Sequence, residues 1–410
     1  MISRTRHCFN FAICKHKFGS LEDNKKLFSI WTIGGTRHCL NLHFVSKWSP
    51  QKFPRSALRK PSILRTCFAA RQSRCMKSSV SFVMGQMLSE PVTTKESAAV
   101  QNHLFKVGSS CMQGWRNTME DVHCHLLSLP EAPETAFFAV YDGHGGARVA
   151  EYAGQHLHRF ICETPEFRAG NIVEGLKKGF LNMDQAMLEK EAVSDEVEGS
   201  TAICVLIRDN HLYCANVGDS RAVACVHGAS HPLHPLSKDH KPNNEEEMKR
   251  IVAAGGWVEF DRVNGNLALS RALGDFTFKR NTRVSATEQI IISMPDVVVE
   301  KVTPEWEFVI IACDGIWDVM SNEDVVAFVR LKIGEAMEPE KICEELMTRC
   351  LAPDRELCGL GCDNMTVVLV CFLHGKPYTS LVTKCGGSTT HATGGTVSKK
   401  KKEGVAVASN

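Results

Sequence analysis

The stretch Gly199-Ser-Thr-Ala-Ile-Cys-Val-Leu-Ile-Arg-Asp-Asn-His-Leu-Tyr-Cys-Ala-Asn-Val217 decides what kind of sheet this chain builds. Two apolar runs of strand length, 199–207 and 211–217, flank Arg208-Asp209-Asn210, a turn rich in residues that accept tight backbone geometry. Strands joined across so short a connection pair antiparallel. Upstream, Ala136-Phe-Phe-Ala-Val-Tyr141 is another strand, broken by Asp142-Gly-His-Gly-Gly146, and 147–159 reads as a helix. Downstream, 243–254 reads as a helix with a Glu-rich first turn at its positive end, closed by Gly255-Gly256. Residues 308–313 form a buried strand, Ser321-Asn-Glu-Asp324 caps a helix, 339–350 makes another, and 365–372 is the last strand. Helices are grouped and strands adjoin strands. The pattern predicts an α+β body with antiparallel sheets, not a doubly wound parallel one.

Around this body the composition shifts. Of 410 residues, 43% are apolar and 23% charged, which is ordinary globular usage and allows a sizeable core. Residues 1–83 carry 16 Lys and Arg against only Glu22 and Asp23, so the remainder holds 32 bases and 44 acids. An acidic body is a poor nucleic-acid surface, but it can gather divalent cations. Three segments follow: a basic leader without sustained periodicity over 1–102, a folded body over 103–374, and a Gly/Ser/Lys-rich tail over 375–410, the two ends being expected to lack order.

The leader has two readings. It is basic, Ser-containing and nearly acid-free, like a mitochondrial transit peptide. Alternatively, translation starts at Met84, and Met84-Gly85-Gln86-Met87-Leu88-Ser89 then fits the N-myristoylation pattern at Gly85. One acyl chain would give only weak membrane association. Cytoplasm or nucleus is expected on the second reading, mitochondrion on the first. No stretch approaches the roughly 18 uninterrupted apolar residues a membrane span needs, so a soluble chain is expected, as a monomer. The 18 cysteines sit in the leader or mostly in apolar runs, which suits reduced core thiols better than a disulfide framework. Cys358-Gly-Leu-Gly-Cys362 has no second pair at zinc-finger spacing.

Several acids stand where ordinary folding would not put them. Asp142 ends an apolar strand, Asp314 ends Val309-Ile-Ile-Ala-Cys313, Asp363 precedes the last strand, Asp219 follows 211–217, and Glu120 and Asp121 open a strand. Any one Asp-Gly is ordinarily turn chemistry. Taken together, carboxylates at the mouths of buried strands lose solvation and repel one another unless cations intervene. Oxygen ligands without His or Cys select hard ions, Mg²⁺ or Mn²⁺, and the set reads as a two-ion site. Two such ions lower the pKa of a shared water. His144, two residues from Asp142, is a candidate general acid beside such a cluster.

Six segments carry a resemblance: Gln113-Gly-Trp-Arg-Asn-Thr-Met-Glu-Asp121, Phe138-Ala-Val-Tyr-Asp-Gly-His-Gly-Gly146, Asn216-Val-Gly-Asp-Ser-Arg221, Val263-Asn-Gly-Asn-Leu-Ala-Leu-Ser-Arg-Ala-Leu-Gly-Asp275, Ala312-Cys-Asp-Gly-Ile-Trp-Asp-Val319 and Cys362-Asp-Asn-Met-Thr366. In kind and order they resemble the protein phosphatase 2C (metal-dependent PPM) family. In character the chain is similar to the branch that includes protein phosphatase 1G, without that relative's long acidic insertion. The resemblance implies two antiparallel β-sheets sandwiched between pairs of α-helices, with a metal cleft at one end, and a phosphoserine/phosphothreonine phosphatase acting on phosphoproteins. It implies that Asp142 bridges two ions, that Asp314 and Asp363 complete one shell, and that the Gly143 carbonyl serves the other. Glu120 and Asp121 would hold ion-bound waters, Asp219 a weaker third ion, and Arg116 the phosphate.

Other readings are weaker. Cys343-x₅-Arg349 has thiol-phosphatase spacing but lacks the preceding His and falls in a predicted helix. No G-x-x-x-x-G-K-[ST] loop is present. A catalytically dead scaffold would be expected to lose Asp142, Asp314 or Asp363, and all three remain. Nucleic-acid binding through the leader or Lys399-Lys-Lys-Lys402 rests on charge alone and is not expected. Arg271 and Asp275 read as braces of the fold, and 276–305 as a flap beside the cleft that influences substrate choice.

Overall fold

The computed structural model describes residues 31–33, 36–38, 87–190, 197–228, 232–354 and 359–386. The chain divides into two units, 1–74 and 75–410. In the first, Trp31–Ile33 and Thr36–His38 pair antiparallel. The second holds β1 (Met87–Gln101), β2 (Phe105–Arg116), β3 (Val122–Leu126), β4 (Ala136–Tyr141), β5 (Gly143–His144), β6 (Gly199–Ser200), β7 (Ala202–Arg208), β8 (His211–Val217), β9 (Arg221–Val226), β10 (Leu233–Pro235), β11 (Val258–Glu259), β12 (Arg262–Val263), β13 (Leu273–Gly274), β14 (Asp296–Lys301), β15 (Trp306–Ala312) and β16 (Met365–Phe372). Its longer helices are α1 (Arg148–Glu163), α2 (Ile172–Glu189), α3 (Glu245–Ala253), α4 (Asn322–Gly334), α5 (Pro339–Cys350) and α6 (Tyr378–Gly386).

Two sheets form the centre, in the orders β14-β8-β7-β4-β3 and β10-β9-β15-β16-β2-β1. Every neighbouring pair in them is antiparallel. The turn between β7 and β8 holds Asp209 and Asn210 at φ 50° and 56°, the two positive angles that a two-residue hairpin loop demands and that Asp and Asn tolerate.

Side-chain alternation assigns each strand face a partner. From β4, Phe138 and Val140 meet Val309 and Ile311 of β15 and Val368 and Val370 of β16 between the sheets. Phe137, Ala139 and Tyr141 point the other way, onto Leu157 and Ile161 of α1 and Leu176 and Phe180 of α2. On the far side, Phe308 and Ile310 of β15 pack on Val329 of α4 and on Ile342 and Leu346 of α5. The result is a helix–sheet–sheet–helix sandwich, the expected α+β class. Both faces of the central strands are buried, which is why they read as unbroken apolar runs.

Regular structure extends past both expected limits of the body. β1 lies within 1–102 and pairs with β2 from Met87 to Gln101, and α6 lies within 375–410 and packs Leu381 and Cys385 on the outer core. β1 is an edge strand, mostly exposed, interrupted by Pro91 and by register shifts. Its order comes from backbone pairing with β2, so no apolar alternation marks it. The tail beyond 386 and the leader before 87, with Gly85 and the Lys399–Lys402 run, lie outside the described residues apart from the short pair above.

Candidate active site

Antiparallel pairing puts the end of one strand beside the start of the next, and here it gathers the acids at one end of the sandwich. Tyr141, before Asp142, pairs with Val122, after Asp121. Ala312, two residues before Asp314, pairs with Val367 and with Arg221, the residue two after Asp219. Met365, after Asp363, pairs with Met112 near the end of the strand that finishes at Arg116. Arg116, Glu120, Asp142, Gly143, His144, Asp219, Asp314 and Asp363 all line one cleft of about 600 Å³. Asp121 is buried and adjoins it through Asp142, ligand atoms of the two lying within 4.8 Å. All nine residues singled out in the sequence therefore belong to one place.

The electrostatics are those of a site built for cations. Burial pushes the Asp142 carboxyl well above the usual carboxylate range, and Asp121, Asp314, Asp363 and Asp219 push further by repulsion. Asp314 is raised for the same reasons, burial first, then Asp219 and Asp363, with Lys241 opposing. Asp121 is raised by burial against the hydrogen bond it accepts from Thr366 Oγ1 at 2.8 Å. Its other oxygen, Oδ1, is buried with no hydrogen-bond partner, a costly arrangement unless an ion takes the lone pairs. One possible soft ligand is adjacent: ligand atoms of Asp121, Asp142 and Cys313 lie within 4.8 Å of one another. Burial and the neighbouring carboxylates raise the Cys313 thiol well above its ordinary value, and its sulfur already accepts the Thr366 N–H at 3.2 Å. Oxygen donors are thus the usable set, and they fit hard divalent ions.

Glycine is required beside two of the acids for space. A Cβ on Gly143 would lie 2.4 Å from the Glu120 carbonyl oxygen, and one on Gly315 would lie 2.1 Å from that of Asn364. Neither has a positive φ, so the Asp-Gly pairs serve close backbone approach and not turn geometry.

The remaining groups are held from several elements. Arg116 NH2 bonds to Asp363 Oδ2, with its side chain half exposed at the rim. Glu120 takes a bond from Thr118 Oγ1 at 2.8 Å and another from the Gly146 N–H at 3.3 Å. Asp219 is ion-paired with Lys241. His144 Nε2 is 2.7 Å from Asp275 Oδ2. Burial opposes charge on the His144 ring, but the Asp275 carboxylate outweighs it and raises the pKa, with Asp219 and Glu120 adding to the effect.

Sequence reasoning missed four supporting residues. Asn364 accepts the Glu120 N–H at 2.9 Å and donates to the carbonyls of Gln113 (2.8 Å) and Thr118 (3.0 Å), tying down the loop that carries Arg116. Thr366 orients Asp121. Both stand in the quoted motif at 362–366 and could have been suspected there. Thr201 Oγ1 takes the Asp142 N–H at 3.1 Å. Lys241 carried no signal. The two expected braces part company. Arg271 does brace, bonding Glu247, Asp296 and the Met294 carbonyl, whereas Asp275 reaches the catalytic histidine candidate. The flap expected over 276–305 is not what borders the cleft. Arg262 and Leu267–Leu269 do so, while 296–301 is an edge strand. Cys343 is buried in α5 as expected, facing the Gly108 carbonyl, and Cys362 is buried beside Trp115, its expected companion Cys358 falling outside the described residues.

Comparison with known proteins agrees with this geometry. A family model described as protein phosphatase 2C matches residues 105–358. A probable protein phosphatase 2C of Caenorhabditis elegans is 60% identical over 302 residues, covering 74% of this chain and 84% of that protein. The protein phosphatase 2C homolog 2 of Schizosaccharomyces pombe is 50% identical over 298 residues, covering 72% and 80%. Among solved structures, a phosphatase of Toxoplasma gondii superposes with a TM-score of 0.58 at 28% identity, covering 68% of this chain and 96% of that one.

Proposed function

The chain belongs to the protein phosphatase 2C family and is a metal-dependent protein phosphatase; from that premise we propose that it removes phosphate from serine and threonine side chains of proteins, with Arg116 on the phosphate and His144 supplying the leaving-group proton. The observation that carries the reading is the convergence of Asp121, Asp142, Asp219, Asp314 and Asp363 around one cleft, with a buried Asp121 oxygen left unpartnered. Asp142, Asp314, Asp363 and the Gly143 carbonyl would hold two Mg²⁺ or Mn²⁺ ions, with Glu120 and Asp121 beside them and Asp219 serving a weaker third. When bound, such ions neutralise the phosphate dianion and make a nucleophile of water at neutral pH.

The side chains do the rest. Arg116 stands at the rim with a guanidinium whose planar fork can donate two hydrogen bonds to phosphate oxygens, exchanging Asp363 for the substrate. Asn364 keeps that loop in register with the carboxylates. As a water oxygen bonds to phosphorus, the bond to the serine or threonine oxygen breaks and its electron pair leaves with that oxygen. His144 gives it a proton, so a neutral hydroxyl departs instead of an alkoxide. Burial opposes charge on the ring, but the Asp275 carboxylate favours it, which is the direction a proton donor needs. Free, mostly buried thiols among the described residues suit a reducing compartment, whether cytoplasm or nucleus or, if residues 1–83 are a transit peptide, the mitochondrion.

The test is hydrolysis of a phosphothreonine peptide with Mg²⁺ or Mn²⁺, with EDTA, and by an Asp314→Asn variant. We expect EDTA to abolish turnover and the substitution to lower kcat by about 10²-fold or more. Activity surviving either treatment would exclude the mechanism.

A further inference from the structure

Besides the two large sheets, β5, β6 and β13 form a small three-stranded sheet at the rim of the cleft. Its register is informative. His144 on β5 lies opposite Gly199 on β6, and Gly199 lies opposite Gly274 on β13, directly before Asp275. His144 and Asp275 thus approach from the two outer strands and meet over the central one, 2.7 Å apart between Nε2 and Oδ2. Only glycine leaves room for that meeting. A Cβ at position 199 would come within 2.3 Å of Asp275 Oδ2 and 2.4 Å of His144 Nε2.

Asp275 is held with more care than a fold brace needs. Its backbone is left-handed, at φ 49° and ψ 43°, a conformation an aspartate adopts at some cost. Its N–H donates to the Glu198 carbonyl at 2.8 Å. The preceding Gly274 N–H donates to Asp184 Oδ1 at 2.9 Å, and Lys279 bridges both Asp184 oxygens to the Ala272 carbonyl. Asp275 is buried and stands outside the group of acids that lines the cleft. Its carboxylate makes one side-chain hydrogen bond among the described residues, and the partner is His144.

We infer that Asp275 is the positioning residue for His144: by accepting the Nε2 hydrogen it fixes the imidazole plane and tautomer, so that Nδ1 is the atom that gives a proton to the departing serine or threonine oxygen. The inference rests on the reading of His144 as proton donor. In the step itself, the Nδ1 proton passes to the leaving oxygen as that oxygen takes the electron pair of its bond to phosphorus. Nε2 keeps its hydrogen and its bond to Asp275 throughout. Gly199 is part of the same device, since its missing side chain is what allows the pair to form.

The experiment uses two substrates that differ in their need for a proton. A phosphothreonine peptide releases an alkoxide unless protonated, whereas p-nitrophenyl phosphate releases a phenolate that leaves unaided. The full chain, its His144→Asn, Asp275→Asn and Gly199→Ala variants are assayed on both, and the ratio of peptide to aryl-phosphate kcat is compared. His144→Asn should lower that ratio by about 10²-fold. Asp275→Asn, which keeps the shape, and Gly199→Ala, which keeps both functional groups but wedges them apart, should each lower it by about 10-fold or more, with peptide KM little changed. An equal fall on both substrates in Asp275→Asn and Gly199→Ala would mean that the pair only braces the fold, and would overturn the inference. A ratio that drops in His144→Asn but is preserved in the other two would overturn it while leaving the histidine's role intact. An unchanged ratio in His144→Asn would remove the general-acid reading and this inference with it.

Discussion

Arg116 shows how a single side chain can serve two masters in one cleft. Its guanidinium pairs with Asp363 in the structure and is half exposed, so an arriving phosphate competes for donors that already point into the cleft. Replacing it with lysine keeps the charge but loses the fork, and Arg116→Lys should raise the KM for a phosphopeptide by about 10-fold with a smaller change in kcat. Glu247 gives the opposite case, an acid whose value is structural. Burial opposes its ionisation, but Arg271, Arg250 and Ser270 outweigh burial and bring its pKa from 4.5 down to about 2. A depressed carboxylate contributes stability that is fully present above the unfolded value and is lost as pH falls through the folded one. The window here is pH 4.5 down to about 2. Glu247→Gln leaves Arg250 and Arg271 short of a buried partner and should cost about 3 kcal/mol at neutral pH, with a flatter loss of stability across that acid window in urea unfolding.

Elements set how closely those side chains can meet. The helical turn Asp314–Trp317 presses on the chain entering β16, and Gly315 is the point of contact, with no space for a methyl group against the Asn364 carbonyl. Gly315→Ala should therefore push Asp314 away from Asp363. The expected result is a loss of about 1–3 kcal/mol in stability together with most of the activity, read by thermal unfolding and peptide turnover. These elements were largely visible in the chain as written. The strand 365–372 and the helix 339–350 fall where apolar runs and Pro339 put them, and Ser321 caps α4 by accepting the Asp324 N–H. Strand-ending aspartates announced the cleft as a set, because turn chemistry explains any one of them but not several carboxylates at the mouths of buried strands. Two kinds of feature were not legible. β1 is ordered by backbone pairing at a sheet edge, which leaves no apolar pattern in Ser89-Glu-Pro-Val-Thr-Thr-Lys95. The His144–Asp275 contact joins positions 131 residues apart across a two-residue strand, and nothing local predicts such a meeting.

For the molecule as a whole, the double sandwich is a means of bringing strand ends from both sheets to one place. The central strands of each sheet bury both faces, so the acids at their ends cannot spread apart without disturbing three packed layers. The edge strand β1 contributes to that rigidity. Compared with a chain starting at Met84, one starting at Asn102 should lose several degrees in Tm, since β2 would become an unpaired edge. The rigidity also implies that the carboxylates repel one another in the metal-free protein and are relieved when cations arrive. Calorimetric titration of EDTA-stripped protein with Mn²⁺ reads this directly, beside an Asp142→Asn variant. The account predicts two ions bound per chain, a rise in Tm on loading, and loss of both effects in Asp142→Asn. Saturable binding that is indifferent to Asp142, or none at millimolar Mn²⁺, would contradict it.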